Sequence, residues 1–281
     1  MILLFLFACG AEDSGTVDKE KDLQFQDLGG PSSPNTALDD IVNATQLALQ
    51  SGLPTPALIR DTYASFLVNR EIGCPMMENS DTTSWVGVWF DSCTASNGYG
   101  FFGTALYGQS LIQEGDMIDW SYELVSSYEL WDPNDYVFIG GGEVELELLL
   151  TGSNASWFGR VGGTYSYVPG VEWLSQGGEI SLFMEGNITD GEEFLELDGG
   201  VGYRHVQFSF TDMIIDSQLC DGTPQGIFRI RDDSSYWYEM EFADCSKCAD
   251  VYWRDQRQGE ACLGDSIAIA GDQIIADLLT F

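Results

Sequence analysis

Cysteines are the residues of this sequence best able to do chemistry, and there are seven of them. Their thiols can form disulfides, ligate zinc or carry out redox exchange. Cys245 and Cys248 share the CxxC spacing that redox and zinc sites use. A redox pair needs a βαβ context, and a zinc site needs a second CxxC or a pair of histidines. Both flanks of this pair, "YWYEMEFAD" and "ADVYWRD", are strand-like, and the chain has one histidine, so we expect structural disulfides and neither a metal site nor a cofactor.

The opening segment "MILLFLFACG" has the features of an export signal. Its apolar run ends at a small residue and is far shorter than the roughly 20 apolar residues of a membrane-spanning helix. Leu6-Phe7-Ala8-Cys9 resembles the lipobox of bacterial lipoproteins, in which a leucine, a tolerant position and a small residue precede the modified cysteine. The resemblance implies a diacylglyceryl group on Cys9, cleavage before it and acylation of the new amino terminus. No Lys or Arg precedes the apolar run, so we expect Met1 to lie inside a longer signal.

The other six cysteines are even in number, as disulfides in an exported protein require. Six cysteines can pair in many ways, and the sequence alone does not fix the connectivity. Two of them stand apart from the other four and most simply pair with each other. The CxxC loop is too tight to close on itself without strain, so we expect each of its members to bond elsewhere. The predicted pairs are Cys74–Cys93, Cys220–Cys245 and Cys248–Cys262.

The remaining candidates for chemistry have no supporting motif. His205 would need an aligned nucleophile and a carboxylate to act as a base, and no GxSxG, HExxH or phosphate-binding loop accompanies it. Pairs of carboxylates could serve a glycosidase, but with 45 acidic residues some close pairs are inevitable. The acidic segments 132–135 and 190–193 lack EF-hand spacing, so we interpret them as solvated turns and not as calcium sites. We therefore predict no catalytic residue.

The charge balance is strongly acidic. The chain has 45 Asp and Glu against 11 Lys and Arg, and its net charge is −34. Nucleic acids bind basic patches, so they are excluded as partners. The same charge repels anionic membrane surfaces, so membrane attachment must come from the lipid on Cys9. Gly10 after the cysteine resembles the pattern of lipoproteins sorted to the outer membrane, which implies an anchor in that membrane, on its periplasmic face or at the cell surface.

Helical patterns occur at both ends of the chain. Two amphipathic segments within residues 37–73 predict a helical hairpin. We expect Asn35 or Thr36 to cap the first helix, while Thr55 followed by proline is a favourable start for the second. The tail "GDQIIADLLTF" predicts either a last helix capped by Asp272 or an apolar edge segment, and we favour the helix.

Between these ends the hydrophobic period changes to two. Apolar and polar residues alternate in several runs that Gly-containing turn signals separate. This pattern predicts a mainly β body, which is an antiparallel curved meander sheet, barrel or sandwich of about ten strands with the short N-terminal helical hairpin beside it. The clearest alternating runs are 143–148, 180–184, 206–210 and 236–242.

The predicted domain boundaries follow from these patterns. Residues 1–9 are the lipoprotein signal and lipidation site, and residues 10–36 are a flexible tether rich in Gly, Asp, Ser, Pro and Glu. The helical hairpin occupies 37–73, and the antiparallel β domain occupies 74–281. Within it, the disulfide-linked module 220–264 has the order Cys, Pro-x-Gly, aromatic strand, CxxC and Gly-Glu-x-Cys. That order resembles the C-terminal part of uncharacterised envelope lipoproteins of Gram-negative bacteria, and it implies no known activity.

Three functions are compatible with these features. We expect a non-enzymatic, lipid-anchored cell-envelope protein whose β body serves structure or interaction with another envelope protein. The first alternative is a periplasmic-type carrier of an apolar ligand, because a curved sheet with helices resembles, in outline, the half-barrel lipoprotein carriers. That resemblance implies an apolar cavity between the sheet and the helices. The second alternative is a glycan hydrolase, which needs two carboxylates in one cleft. The oligomeric state is left open.

Overall fold

The protein has a mainly β fold with three helices, as the sequence predicts. The structure is a computed structural model that describes residues 36–76, 78–80, 84–89, 92–134, 136–166, 178–203, 206–231 and 236–279. The helices are α1 (Leu38–Gln50), α2 (Pro56–Leu67) and α3 (Gly264–Leu279). The strands are β1 (Glu78–Ser80), β2 (Ser84–Trp89), β3 (Cys93–Thr94), β4 (Gly100–Glu114), β5 (Met117–Trp131), β6 (Val137–Thr151), β7 (Asn154–Ser166), β8 (Gly178–Thr189), β9 (Glu192–Tyr203), β10 (Val206–Asp216), β11 (Gln225–Arg231), β12 (Tyr238–Phe242), β13 (Ala249–Trp253) and β14 (Gln256–Ala261).

The strands form one antiparallel meander. Their order in the sheet is β1-β2-β4-β5-β6-β7-β8-β9-β10-β11-β12-β13-β14, and the two-residue β3 pairs with β4 at the side of this path. Each strand of the path therefore hydrogen-bonds the next one along the chain. Within the described residues β1 and β14 end the order without pairing to each other, so the sheet is open. Of the three expected architectures the structure therefore has the open meander sheet and neither the barrel nor the sandwich, with more strands than the ten or so expected.

Alternation along the strands gives the sheet two different faces. On β6, Val144, Leu146 and Leu148 are buried, whereas Glu143 and Glu147 on the opposite side are exposed. Side chains of successive residues point to opposite faces of a sheet, so the predicted alternation is confirmed. We call the face that carries these apolar residues the inner face and the face that carries the glutamates the outer face.

The helices cover the inner face directly. Tyr63 of α2 stacks on Tyr128 of β5 with ring centroids 5.3 Å apart, and Phe66 stacks on Phe138 of β6 at 6.2 Å. All four rings are buried. Pairs of this kind stabilise a fold by about 0.5–1.5 kcal/mol beyond the burial of their area. Helix α2 is therefore held on β5 and β6 by aromatic rings.

Helices α1 and α3 cover the other half of the inner face. Gly271 of α3 lies against Ile215 of β10, so closely that a Cβ at Gly271 would come 2.5 Å from Ile215 Cδ1. Leu38 of α1 lies beside Gly259 of β14, and α1 also contacts α3. The three helices thus follow the sheet from β5 to β14. None of the helices in the described part of the chain is long and apolar enough to cross a membrane.

The helix ends differ from expectation in two places. The N-cap of α1 is Ala37, which offers no side-chain hydrogen bond, and not Thr36, while Asn35 lies outside the described residues. Helix α3 begins at Gly264, well before Asp272, because the Gly264 N–H donates to the Lys247 carbonyl at 3.0 Å in the CxxC loop. The start of α2 is confirmed, since Thr55 Oγ1 accepts a hydrogen bond from the Leu58 N–H.

The packing of α2 depends on a glycine in β6. A Cβ at Gly140 would lie 2.6 Å from Cζ of the Tyr128 ring, which is itself held between Tyr63 and Phe138. We expect Gly140→Ala to lower the free energy of unfolding by about 1–3 kcal/mol, because the trapped ring must shift. Denaturant unfolding followed by circular dichroism measures this change.

The next residue provides a matched control. Gly141 lies on the outer face, and a Cβ there would meet only the Thr164 carbonyl oxygen at 3.9 Å, which is ordinary contact distance. Gly141→Ala should therefore leave stability unchanged or raise it by up to about 1 kcal/mol, since alanine restricts the unfolded chain. Equal losses in the two variants would show that the Tyr128 ring does not fill this space.

Candidate functional site

The six described cysteines form the three disulfides expected from the sequence. Cys74 bonds Cys93, Cys220 bonds Cys245, and Cys248 bonds Cys262. The first bond joins the chain after α2 to β3. The second joins the turn between β10 and β11 to the turn between β12 and β13, and the third joins the start of β13 to the end of β14. Such bonds fix turns that would otherwise let edge strands slip. Cys9, the predicted lipidation site, lies outside the described residues.

The CxxC pair does not form a redox or zinc site in this arrangement. Cys245 and Cys248 bond to different partners, so no dithiol is present at the motif. Glu260 lies close to the sulfurs of Cys248 and Cys262, but these sulfurs are bonded to each other and offer no thiolate for a metal. Lys247, inside the loop, forms an ion pair with Asp265 in the first turn of α3 at 2.6 Å. The motif therefore connects the last strands to the last helix.

Carboxylates are concentrated on the outer face at β5 and β6. Glu123 and Glu145 lie directly opposite each other across these strands, and Arg160 of β7 is opposite Glu145 on the other side. Burial raises the pKa of the Glu145 carboxyl, and the charge of Glu147 raises it further, while Arg160 opposes both effects. Like charges that face each other across strands destabilise a sheet. This surface therefore attracts cationic groups.

A second acidic group lies at a bulge between β9 and β10. Carboxylate oxygens of Glu196, Asp198 and Asp212 are within 4.8 Å of one another. Strand register shifts between Phe210 and Met213, and Asp212 has a left-handed φ of 47° there. Its N–H donates to Asp198 Oδ1 at 2.8 Å. Asp198 thus has a structural role in holding the bulge, a feature that strand alternation does not reveal.

An aromatic depression lies where β4 begins and β5 ends. We call it the notch, and its volume is about 310 Å³. This volume is at the lower end of the roughly 300–1,000 Å³ that small-molecule sites occupy. Phe102 is 37% exposed and Trp131 is 36% exposed, and both are on the outer face. The notch is lined by Thr94, Gly98, Gly100, Phe102, Trp131, Asp132 and Pro133.

The two rings of the notch meet at an angle. Their centroids are 6.3 Å apart and their planes are inclined by 65°, so they form a corner and not a flat platform. Gly100 lies between them, because a Cβ there would come 2.8 Å from Phe102 and 3.4 Å from Trp131. A larger residue at this position would push the Phe102 ring out of the corner. Glycine therefore shapes the notch.

Asp132 supplies the charge at the edge of the notch. Burial alone would raise the pKa of Asp132, but hydrogen bonds from the Tyr136 and Asn134 N–H groups to Oδ1, both 2.8 Å long, outweigh it and lower the pKa. The Asn134 side-chain amide also donates to Oδ2 at 3.2 Å. The carboxylate is thus ionised at neutral pH and fixed in a turn, as predicted for this acidic segment, of which Asp135 lies outside the described residues.

The inner face contains the apolar residues that a carrier cavity would need, but helices occupy it. Trp120 and Trp157, both on the inner face, are buried, as are the rings that α2 contacts. The Trp157 Nε1–H has no hydrogen-bond partner among the described residues. The sheet and helices meet closely at two glycines, because a Cβ at Gly159 of β7 would come 3.3 Å from Pro56 of α2 and a Cβ at Gly271 of α3 would come 2.5 Å from Ile215 of β10. At these contacts side chains occupy the space where a cavity between sheet and helices was expected.

Comparison with known proteins identifies no relative. No protein-family model, curated protein or solved structure matches the chain.

The remaining predicted candidates have different outcomes. His205 lies outside the described residues. Asp190 and Gly191 form the tight turn between β8 and β9, with left-handed φ angles of 54° and 86°, so this acidic segment is a hairpin turn as expected. Sequence reasoning missed the notch. Its one local signal is Trp131, which stands at an outward position of an otherwise alternating strand.

The crowding of carboxylates on β5 and β6 gives a prediction about pH. Glu145→Gln should raise the free energy of unfolding at pH 7 by about 0.2–1 kcal/mol, because it removes a like-charge pair. The raised pKa of Glu145 means that the ionised form is disfavoured in the folded protein. The gain should therefore be complete above that raised pKa and disappear as the pH falls below the ordinary value of 4.5.

Glu179→Gln is the control, because Glu179 on β8 is exposed and faces Thr164 and Gly202 across the neighbouring strands and no carboxylate. Its stability should change by less than about 0.5 kcal/mol at every pH. Denaturant unfolding at several pH values measures both variants. A loss of stability in Glu145→Gln at pH 7 would contradict the repulsion.

The disulfide connectivity gives a prediction with two readouts. Replacing Cys220 and Cys245 together by serine should lower the free energy of unfolding by about 3 kcal/mol, because the unfolded chain loses a crosslink over 25 residues. The variant should contain no more free thiols than the parent, since Cys248 and Cys262 remain bonded. Two additional thiols in a thiol titration would mean that the four C-terminal cysteines are paired differently.

Proposed function

We propose that the chain is a lipid-anchored protein of the bacterial outer membrane whose folded body serves interaction and not catalysis. The observation that carries this proposal is that the six described cysteines all bond one another, so none of them is available as a partner for the seventh cysteine of the sequence, Cys9. Disulfides persist in exported proteins, and an unpaired cysteine in such a protein needs another role. The lipobox resemblance of residues 6–9 supplies that role.

The position of the first described residue is compatible with a lipid anchor at the N-terminus. Thr36, the first described residue, lies beside β12, where its carbonyl accepts a hydrogen bond from the Tyr238 hydroxyl at 2.9 Å. Residues 10–36 have the composition of a linker, and a flexible linker of that length reaches about 30 Å on average. We therefore infer that the body stands a few nanometres from the membrane.

The outer face supports an interaction role. The inner face is covered by the protein's own helices, so it offers little surface for a ligand, and this favours interaction over transport of an apolar molecule. Carboxylates such as Glu123, Glu145 and Glu147 lie together on the exposed side of the sheet, which is the open surface of a meander and not a cleft. A partner that binds there would carry basic groups, because opposite charges guide and align association.

Metabolic labelling tests the anchor. Cells that produce the protein from its own gene are grown with radiolabelled palmitate, and the labelled protein is isolated from outer-membrane fractions. We expect label in the parent and none in Cys9→Ala, because the thioether lipid and the acylated amino terminus both depend on Cys9.

The matched control is the double variant Cys74→Ser/Cys93→Ser, which removes two other cysteines and should keep its label. The intact mass of the mature parent should correspond to a chain that begins at Cys9 and carries lipid. Label that persists in Cys9→Ala, or a mature parent without added lipid mass, would refute the anchor.

A further inference from the structure

We propose that the notch formed by Phe102, Trp131 and Asp132 binds a small alkylammonium cation, such as the trimethylammonium group of choline. The proposal concerns a different part of the molecule from the anchor, and it holds whether or not Cys9 is lipidated. Three properties of the notch support it, namely its rings, its charge and its rigidity.

The rings provide surfaces that attract cations. The face of an aromatic ring carries partial negative charge, and a cation within about 6 Å of its centroid is stabilised, most strongly by tryptophan. Trp131 and Phe102 meet at 65° with centroids 6.3 Å apart, so one group placed in the corner can contact both rings. Both rings are more than a third exposed, so the corner is open to a ligand. Methyl groups on a quaternary nitrogen suit this apolar surface.

The charge at the notch selects a cation over other small ligands. Asp132 lines the notch, and Glu129 lies directly across from Phe102 on the same face of the sheet. Together with a net charge of −34, these carboxylates repel anions. A sugar would need free hydrogen-bonding groups, but both oxygens of Asp132 already accept hydrogen bonds from its own turn. An alkylammonium group needs only the negative charge of Asp132, and the carboxylate keeps that charge while it accepts these hydrogen bonds.

The corner is held in shape before any ligand arrives. The Cys74–Cys93 disulfide fixes β3, which pairs with Gly100 and Phe101 at the start of β4. On the other side, Pro133 packs against Gly98, where a Cβ would come within 3.2 Å of the proline ring. Two turns distant in sequence are thereby joined at the notch. A preformed site loses less conformational freedom on binding, which favours affinity for a small ligand.

Titration with choline tests the proposal. The protein is labelled with nitrogen-15, and the indole N–H signals of its eight tryptophans are followed by NMR. The signal of Trp131 is assigned by its loss in Trp131→Leu. We expect choline to shift this signal with a dissociation constant in the millimolar range, and we expect no such shift from the neutral analogue of choline in which carbon replaces nitrogen.

Variants separate the contributions of charge and ring. Asp132→Asn keeps an oxygen that can hold the turn and removes the charge, so it should weaken choline binding about three- to ten-fold. Phe102→Leu should weaken binding similarly while Trp131 remains as the reporter. The controls are Asp119→Asn, an exposed carboxylate at the far end of β5, and Tyr252→Leu, an exposed ring on β13. Neither control should change the affinity.

The outcomes decide the proposal in both directions. If phosphocholine shifts the Trp131 signal as much as choline does, the site is assigned to a lipid-type headgroup. If its shift is weaker, the site is assigned to a free cation. Either outcome supports the proposal, because both ligands carry the trimethylammonium group. Equal shifts with choline and its neutral analogue would overturn the proposal, because charge would then play no part. It would also be overturned by an unchanged affinity in Asp132→Asn or by saturable binding of a neutral sugar at Trp131 in place of choline.

Discussion

Burial of one face of the sheet against three helices is the constraint on which the rest of the structure depends. An open sheet exposes two faces, and one of them here carries a continuous apolar surface from β5 to β13. Each Val, Leu or Phe side chain removed from water contributes about 1.5–3 kcal/mol, so this face must be covered. The helices can approach closely because glycines stand at the contacts, as Gly159 of β7 does against Pro56 of α2 and Gly271 of α3 does against Ile215 of β10. At these contacts side chains fill the space between sheet and helices.

The outer face can accept unfavourable charge because the inner face supplies the stability. A like-charge pair such as Glu123 and Glu145 costs about 0.2–1 kcal/mol, which is less than the contribution of a single buried neighbour such as Leu146. The sheet therefore tolerates several such pairs on its exposed side. The repulsion between these carboxylates is local, and protonation or a cationic partner relieves it. The pH dependence of stability and the attraction of cations are therefore properties of the outer face.

The parts of the fold that follow from local sequence were predictable, and the parts that follow from distant contacts were not. Alternation in residues 143–148 gave β6 and its two faces, and Thr55 with Pro56 gave the start of α2. In contrast, the start of α3 at Gly264 depends on the carbonyl of Lys247, and the bulge at Asp212 depends on the carboxylate of Asp198. No periodic pattern records such contacts. The notch is of the same kind, because it arises where the turn at Gly98 meets the turn at Pro133.

Position in the fold also decides where a binding site can form with little loss of folding stability. A residue on the inner face is fixed by the helices above it, and a change there disturbs the core, as the contacts of Tyr128 illustrate. Phe102 and Trp131 are on the outer face, where none of the described helices covers the sheet. Both rings are more than a third exposed to water. Large aromatic rings that stay partly exposed on an acidic surface contribute little to the stability of the fold. A disulfide and a hydrogen-bonded Asp132 turn hold the corner they form, so its rigidity serves a contact with something outside the chain.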